Sequence, residues 1–199
     1  MPSDAKARVL GGLGVDRFYI VRFTKRFASL SPEAYVKEYL SEFDTIHAVA
    51  GYDFSYGFKG QGTIDRLYRD SDQQIGVSKI EKVEHAGEKI SSTRIRAAIL
   101  EGKVSELRQM LGRRYRTCAE LSDGYLSLKE YYLLPQDGIY DVIIEAGGAR
   151  HSTQIYVDRE RQKIMFTKKC LMDQINQHEI AITWDRRVAS YSFYHMVAQ

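Results

Sequence analysis

Cysteine is scarce: Cys118 and Cys170 are the only two among 199 residues, far apart and outside any C-x-x-C spacing. That excludes a disulfide framework and a zinc site, and it predicts two thiols in a reducing compartment. No apolar run approaches the length of a membrane span. The start, Met1-Pro2-Ser3-Asp4-Ala5-Lys6, lacks the apolar core of a signal peptide. These absences predict a soluble, cytoplasmic protein with no membrane partner. Charge of one sign is also missing, since 29 Lys and Arg stand against 26 Asp and Glu for a net +3, with the two signs interspersed. A mild basic bias suits phosphorylated ligands but falls short of a nucleic-acid footprint. Internal repeats and low-complexity stretches are absent too. What is present is core-building material, 44% hydrophobic residues, enough for a packed interior.

The first part of the chain alternates helix and strand signals. Lys6 to Gly12 reads as the end of a helix stopped by Gly11 and Gly12. Phe18 to Val21 is a short apolar run of the buried parallel-strand type. Ser31 then serves as N-cap, Pro32 as first helical residue, and Glu33 suits the positive end of the helix dipole. Tyr35, Val36, Tyr39 and Leu40 share one face of that helix, and Ile46 to Ala50 is the next strand. Together these predict a βαβ unit over residues 18–50. A weaker strand is expected over Gly76 to Val83, a helix from Ser91 or Ser92 to about Leu100, and another over Val104 to Leu111. After Gly112 the pattern changes to short β-type runs at Tyr131–Leu134, Ile139–Glu145, His151–Val157, Lys163–Phe166 and Glu179–Thr183, with a short helix over Leu171–Gln177. The predicted fold is α/β: a parallel sheet with helices, then a small antiparallel β-barrel-like domain, the boundary near Arg113 to Cys118.

Two segments carry chemistry. In Ile90-Ser91-Ser92-Thr93-Arg94-Ile95-Arg96, three hydroxyl residues open a helix and two arginines follow within its first turns. Free backbone N–H groups, hydroxyl donors and a guanidinium fork then meet at the positive end of the dipole, an anion site suited to a triphosphate. An ordinary N-cap with surface arginines is the competing reading. The second segment is Gly51-Tyr52-Asp53-Phe54-Ser55-Tyr56-Gly57. It follows a strand directly, so it lies at the carboxyl edge of the sheet, where open α/β folds bind ligands. Glycines allow close backbone approach and Asp53 can orient a hydroxyl or amine; a glycine-rich turn with packed aromatics is the plainer alternative.

In this order and spacing the two segments resemble the bacterial bifunctional riboflavin kinase/FMN adenylyltransferases, or FAD synthetases. The family's G-x-D-F-x-[FY]-G stretch is matched by Gly51, Asp53, Phe54, Tyr56 and Gly57, and its I-S-S-T-x-I-R stretch by Ile90 to Arg96. Phe27 to Glu33 and Leu111 to Tyr115 agree as well. The resemblance implies a nucleotidyltransferase domain over residues 1–115 that joins FMN to the AMP part of ATP with Mg²⁺. It implies ATP contacts at Gly51, Asp53, Phe54, Gly57, Ser91, Ser92, Thr93 and Arg96, with Ser92, Thr93 and Arg96 acting on the transferred phosphates and no protein metal ligand. Residues 116–199 would be a degenerate riboflavin-kinase-like β domain. There Leu134-Pro135 and Gly138-Ile139-Tyr140 match, but Ser122 to Glu130 stand where a G-x-P-T-A-N segment belongs. The family's H-x-G-H segment also has no counterpart among His47, His85, His151, His178 and His195. A relative that holds ATP or flavin without turnover is therefore the second expectation.

Overall fold

The structure is a computed structural model that describes residues 1–167 and 179–189. The chain divides into two compact units. One spans residues 17–89, and the other combines residues 1–16 with the chain from Ile90 onward.

The 17–89 unit follows α1 (Ser3–Gly11), which belongs to the other unit. It begins with α2 (Lys25–Ala28) and α3 (Pro32–Tyr35). The Ser31 side chain accepts the Ala34 N–H at 3.1 Å and Pro32 sits in the first turn, as expected of that cap. The helix then widens into a π-type turn over Val36–Leu40. Next come β1 (His47–Gly51), β2 (Ser55–Tyr56), β3 (Gly62–Thr63), α4 (Ile64–Asp70), β4 (Gly76–Ile80), and the small hairpin of β5 (Glu84–His85) and β6 (Glu88–Lys89). β1 and β4 pair in parallel, His47 opposite Gly76 through Gly51 opposite Ile80. The unit's core is Val36, Tyr56, Leu67 and Ile75, with Tyr35, Ala48, Phe54 and Val77 against it.

One expected element is missing here. Phe18 to Val21 is irregular and exposed, with Ile20 69% accessible, so the βαβ unit predicted over 18–50 lacks its first strand. A parallel strand exists through its neighbours' backbone groups, and β1 pairs with β4 alone among the described residues. The apolar run is there, but it has no ladder to join.

Among the described residues the other unit contains α5 (Ser92–Leu100), α6 (Leu107–Leu111) and six strands: β7 (Arg116–Ser122), β8 (Tyr125–Leu128), β9 (Gly138–Ala146), β10 (Ala149–Asp158), β11 (Lys163–Phe166) and β12 (Glu179–Ala189). They close into a barrel in the order β10-β11-β8-β7-β12-β9. Burial alternates residue by residue along β9, the signature of one face turned inward. Trp184 is fully buried; its indole N–H donates to Thr117 Oγ1 at 3.0 Å and its ring meets Tyr140 edge-on. Ala98, Ile99, Leu107 and Met110 of α5 and α6 share this core. For that reason compactness divides the chain elsewhere than residue 115.

The predicted strand at Tyr131–Leu134 is irregular. Tyr131 has φ 68°, outside extended space, and the Leu133 N–H and C=O are both bonded by the Tyr115 hydroxyl rather than by a neighbouring strand. The helix expected over Leu171–Gln177 lies outside the described residues.

Candidate functional site

The loop after β1 is built by packing as much as by glycine. Tyr52 N–H bonds the Ile80 carbonyl at 2.9 Å, and Phe54 N–H turns back to Gly51 O at 3.0 Å. Phe54 is half-buried and stacks against Tyr56 at 5.7 Å. Tyr56 is buried, and its hydroxyl donates to Asp70 at 2.7 Å. Burial first, then the Asp70 contact, push its phenol well above the ordinary range. Asp70 in turn pairs with Arg66, which also reaches Glu33 at 2.8 Å. The loop is thereby tied to α4 and to the start of α3. Gly57 sits at φ 72°, and a Cβ there would meet Pro32 at 2.8 Å, so no other residue fits without displacement.

Asp53 points outward and is paired with the Lys89 ammonium at 2.5 Å. The hydrogen bond from Lys89 holds the Asp53 carboxyl below its usual range and raises the Lys89 ammonium. Lys89 also stands 4.9 Å from the Tyr52 ring centroid. Sequence reading passed over Lys89, although its place just before Ile90 and the hydroxyl segment was a cue.

At the start of α5 the four predicted residues separate by role. Ser91 is the N-cap, its side chain accepting the Arg94 N–H at 3.2 Å. That is the ordinary capping reading, and it occupies this oxygen. Ser92, Thr93 and Arg96 are exposed. Among the described residues neither hydroxyl makes a hydrogen bond and Arg96 has no ion-pair partner. Of the first-turn N–H groups, that of Arg94 is taken by the Ser91 cap.

Gly51, Asp53, Phe54 and Gly57 thus belong to one compact unit, and Ser91, Ser92, Thr93 and Arg96 to the other. Among the described residues no group of three or more His, Cys, Asp or Glu stands together as a metal site.

Residues 1–94 match the sequence model of the family described as FAD synthetase. That span takes in the first motif whole and the second as far as Arg94, so this part of the chain matches FAD synthetase sequence. More particularly, the chain is a relative of the bifunctional riboflavin kinase/FMN adenylyltransferases. It is 39% identical to the one from Listeria monocytogenes serovar 1/2a over 75% of this chain and 52% of that protein. It is 33% identical to the Bacillus subtilis enzyme over 74% of this chain and 50% of that one. An FAD synthetase of the same Listeria is 33% identical over 70% of this chain and 57% of its own length. The chain thus spans about half the length of the curated relatives it matches. In three dimensions it is similar, with a TM-score of 0.82 and 26% identity, to a macrolide-efflux protein from Streptococcus pneumoniae, covering 100% of this chain and 71% of that one. Among the described residues no helix is long and apolar enough to cross a membrane.

Proposed function

We propose that the chain is an FMN adenylyltransferase of FAD biosynthesis. An oxygen of the FMN phosphate attacks the α-phosphorus of ATP, the bond from that phosphorus to the bridging oxygen of the β-phosphate breaks, and pyrophosphate leaves. The observation that carries this reading is the start of α5, where the exposed hydroxyls of Ser92 and Thr93 and the exposed Arg96 guanidinium have no partner among the described residues. Transfers of this class need positioning and charge neutralisation rather than a covalent nucleophile. Ser92 and Thr93 would bind phosphate oxygens, and Arg96 would meet the charge that grows on the departing pyrophosphate. Gly51, Asp53 and Phe54 would lie against the adenosine, Gly57 setting the loop. Asp53, held ionised by Lys89, accepts from a hydroxyl or an amine, which makes Lys89 a positioning residue for that contact. The residues described do not build a Mg²⁺ site by themselves; an ion would enter on the phosphates of ATP, as Mg²⁺ commonly does.

The second reading is a module that binds ATP or flavin without turnover. It is favoured by the β7–β8 hairpin standing where a G-x-P-T-A-N segment would be. One experiment separates the two: incubate the purified chain with FMN, ATP and Mg²⁺, resolve FAD by chromatography, and titrate each ligand calorimetrically. FAD formed, with Arg96→Ala weakening ATP binding by roughly 10- to 100-fold, is the expected result, since a hydrogen bond to a charged group contributes about 1.5–3 kcal/mol. Binding without FAD would select the second reading, and no binding of either ligand would remove both.

A further inference from the structure

Four residues of the 17–89 unit have the chemistry of a strand without its pairing. Phe18, Tyr19, Ile20 and Val21 are all exposed, and none makes a hydrogen bond among the described residues. Aromatic and β-branched residues in such a run favour extended backbone against a neighbouring strand. In the same unit β1 offers the reverse. It pairs with β4 on one side, and among the described residues nothing pairs with its other side. Charge or proline ordinarily guards such an edge, yet His47-Ala48-Val49-Ala50-Gly51 carries neither Lys nor Pro. β4, by contrast, bears Lys79, which pairs with Asp65 at 3.0 Å. Phe43, Ile46 and Val49, in and just before β1, are exposed, Ile46 to 84%. One molecule thus holds both an apolar run without a ladder and a ladder without its last strand.

Charge is divided in the same way. Arg17 and Arg22 bracket the run, while Glu42 and Asp44 precede β1. All four are exposed, and none has an ion-pair partner among the described residues. Within one chain the Tyr19 ring lies 4.4 Å from that of Phe43, yet the run and β1 form no ladder.

We propose that this face binds a second copy of the chain, the run from Phe18 to Val21 of each protomer adding to the open edge of β1 in the other. The exchange is self-complementary, as a two-fold dimer requires, and it closes on itself instead of propagating. Main-chain hydrogen bonds give such strand addition its affinity, and alternate side chains its selectivity. The arginines of one protomer then approach Glu42 and Asp44 of the other. Because β1 runs directly into Gly51, the dimer also braces the glycine loop. It stands on the run and on β1, and it requires no adenylyl transfer.

Sedimentation velocity of the full chain, from about 1 to 100 µM, tests this, and a reversible dimer is expected in that range. Ile20→Asp, at a position exposed in the single chain, is expected to keep the circular dichroism spectrum and to weaken the dimer at least about tenfold. Arg17→Glu with Arg22→Glu is expected to weaken it several-fold, and adding Glu42→Lys and Asp44→Asn to restore it. Asparagine suits the left-handed φ of 52° at residue 44. That recovery marks charges meeting across the interface, which a merely structural loss would not show. A chain that stays monomeric to about 100 µM overturns the proposal. So does a dimer unchanged in the folded Ile20→Asp chain, since it would form through another face. If Ile20→Asp does not fold, the two arginine reversals and their restoration carry the test, and unchanged association there overturns the proposal. A chain that makes FAD while remaining a monomer would sink the dimer and leave the transfer reading intact.

Discussion

In the barrel, Tyr140, Ile144, Ile155, Ile164, Ile180, Ile182 and Trp184 are sealed from water, and each strand has a neighbour on both sides. In the 17–89 unit a parallel sheet of two strands carries Val49 at 64% and Ile80 at 48% exposure, and its core is a handful of side chains. Parallel strands are ordinarily buried on both faces, so β1 and β4 are apolar beyond what their present burial uses. A closed antiparallel sheet needs only its own strands, whereas a parallel pair depends on what covers it. The smaller unit compensates with polar ties, chiefly Tyr56 to Asp70 and Arg66 between Asp70 and Glu33.

The comparison can be broken most forcefully in the barrel. Trp184→Ala removes the largest buried side chain along with the Thr117 hydrogen bond, and should cost about 3–5 kcal/mol in urea unfolding. A loss under about 1 kcal/mol would mean the barrel core is not the stable part. In the smaller unit Gly57→Ala forces a Cβ against Pro32 at positive φ, for an expected loss of roughly 1–3 kcal/mol and a displaced loop. An unchanged melting curve would show that the loop can move aside. Tyr56→Phe leaves Asp70 with Arg66 but without its phenol, and should cost about 1 kcal/mol.

The mildest probe is the exposed Asp53–Lys89 pair. The carboxyl titrates below its ordinary value when folded, so whatever the pair contributes is present at neutral pH and is lost as pH falls through that depressed pKa. NMR titration should find the Asp53 midpoint low and see it return toward the usual value in Lys89→Met. An identical midpoint in both proteins would show that the pair does not form in solution.

Much of this was legible in sequence where the signal is local. Ser31-Pro32-Glu33 and Ser91 open helices because capping chemistry acts over three residues. Ile139 to Glu145 reads as a strand because alternation is visible in the chain itself. The two motifs were recognisable together, and residues 1–94 match the family they suggested. What sequence reading missed depended on partners. Phe18 to Val21 has strand composition without a ladder, and Tyr131 to Leu134 is pulled from a ladder by a distant tyrosine. The β7–β8 hairpin was legible but overlooked: Asp123-Gly124, both at positive φ, is the two-residue turn such hairpins favour, as is Gly147-Gly148 between β9 and β10. Lys89 could be tied to Asp53 only once the chain was folded.

The position of β12 in the barrel also orders events during synthesis. β7–β8 and β9–β10 are hairpins that can form as soon as each has left the ribosome, because their contacts are local. β12 pairs with both β7 and β9, and among the described residues no other strand takes its place between them. The ring therefore stays open until β12 has left the ribosome, and the facing edges of β7 and β9 wait unpaired until then. Open edges of that kind recruit other chains. The edges of β7 and β9 are therefore the last part of the ring to be protected from such pairing.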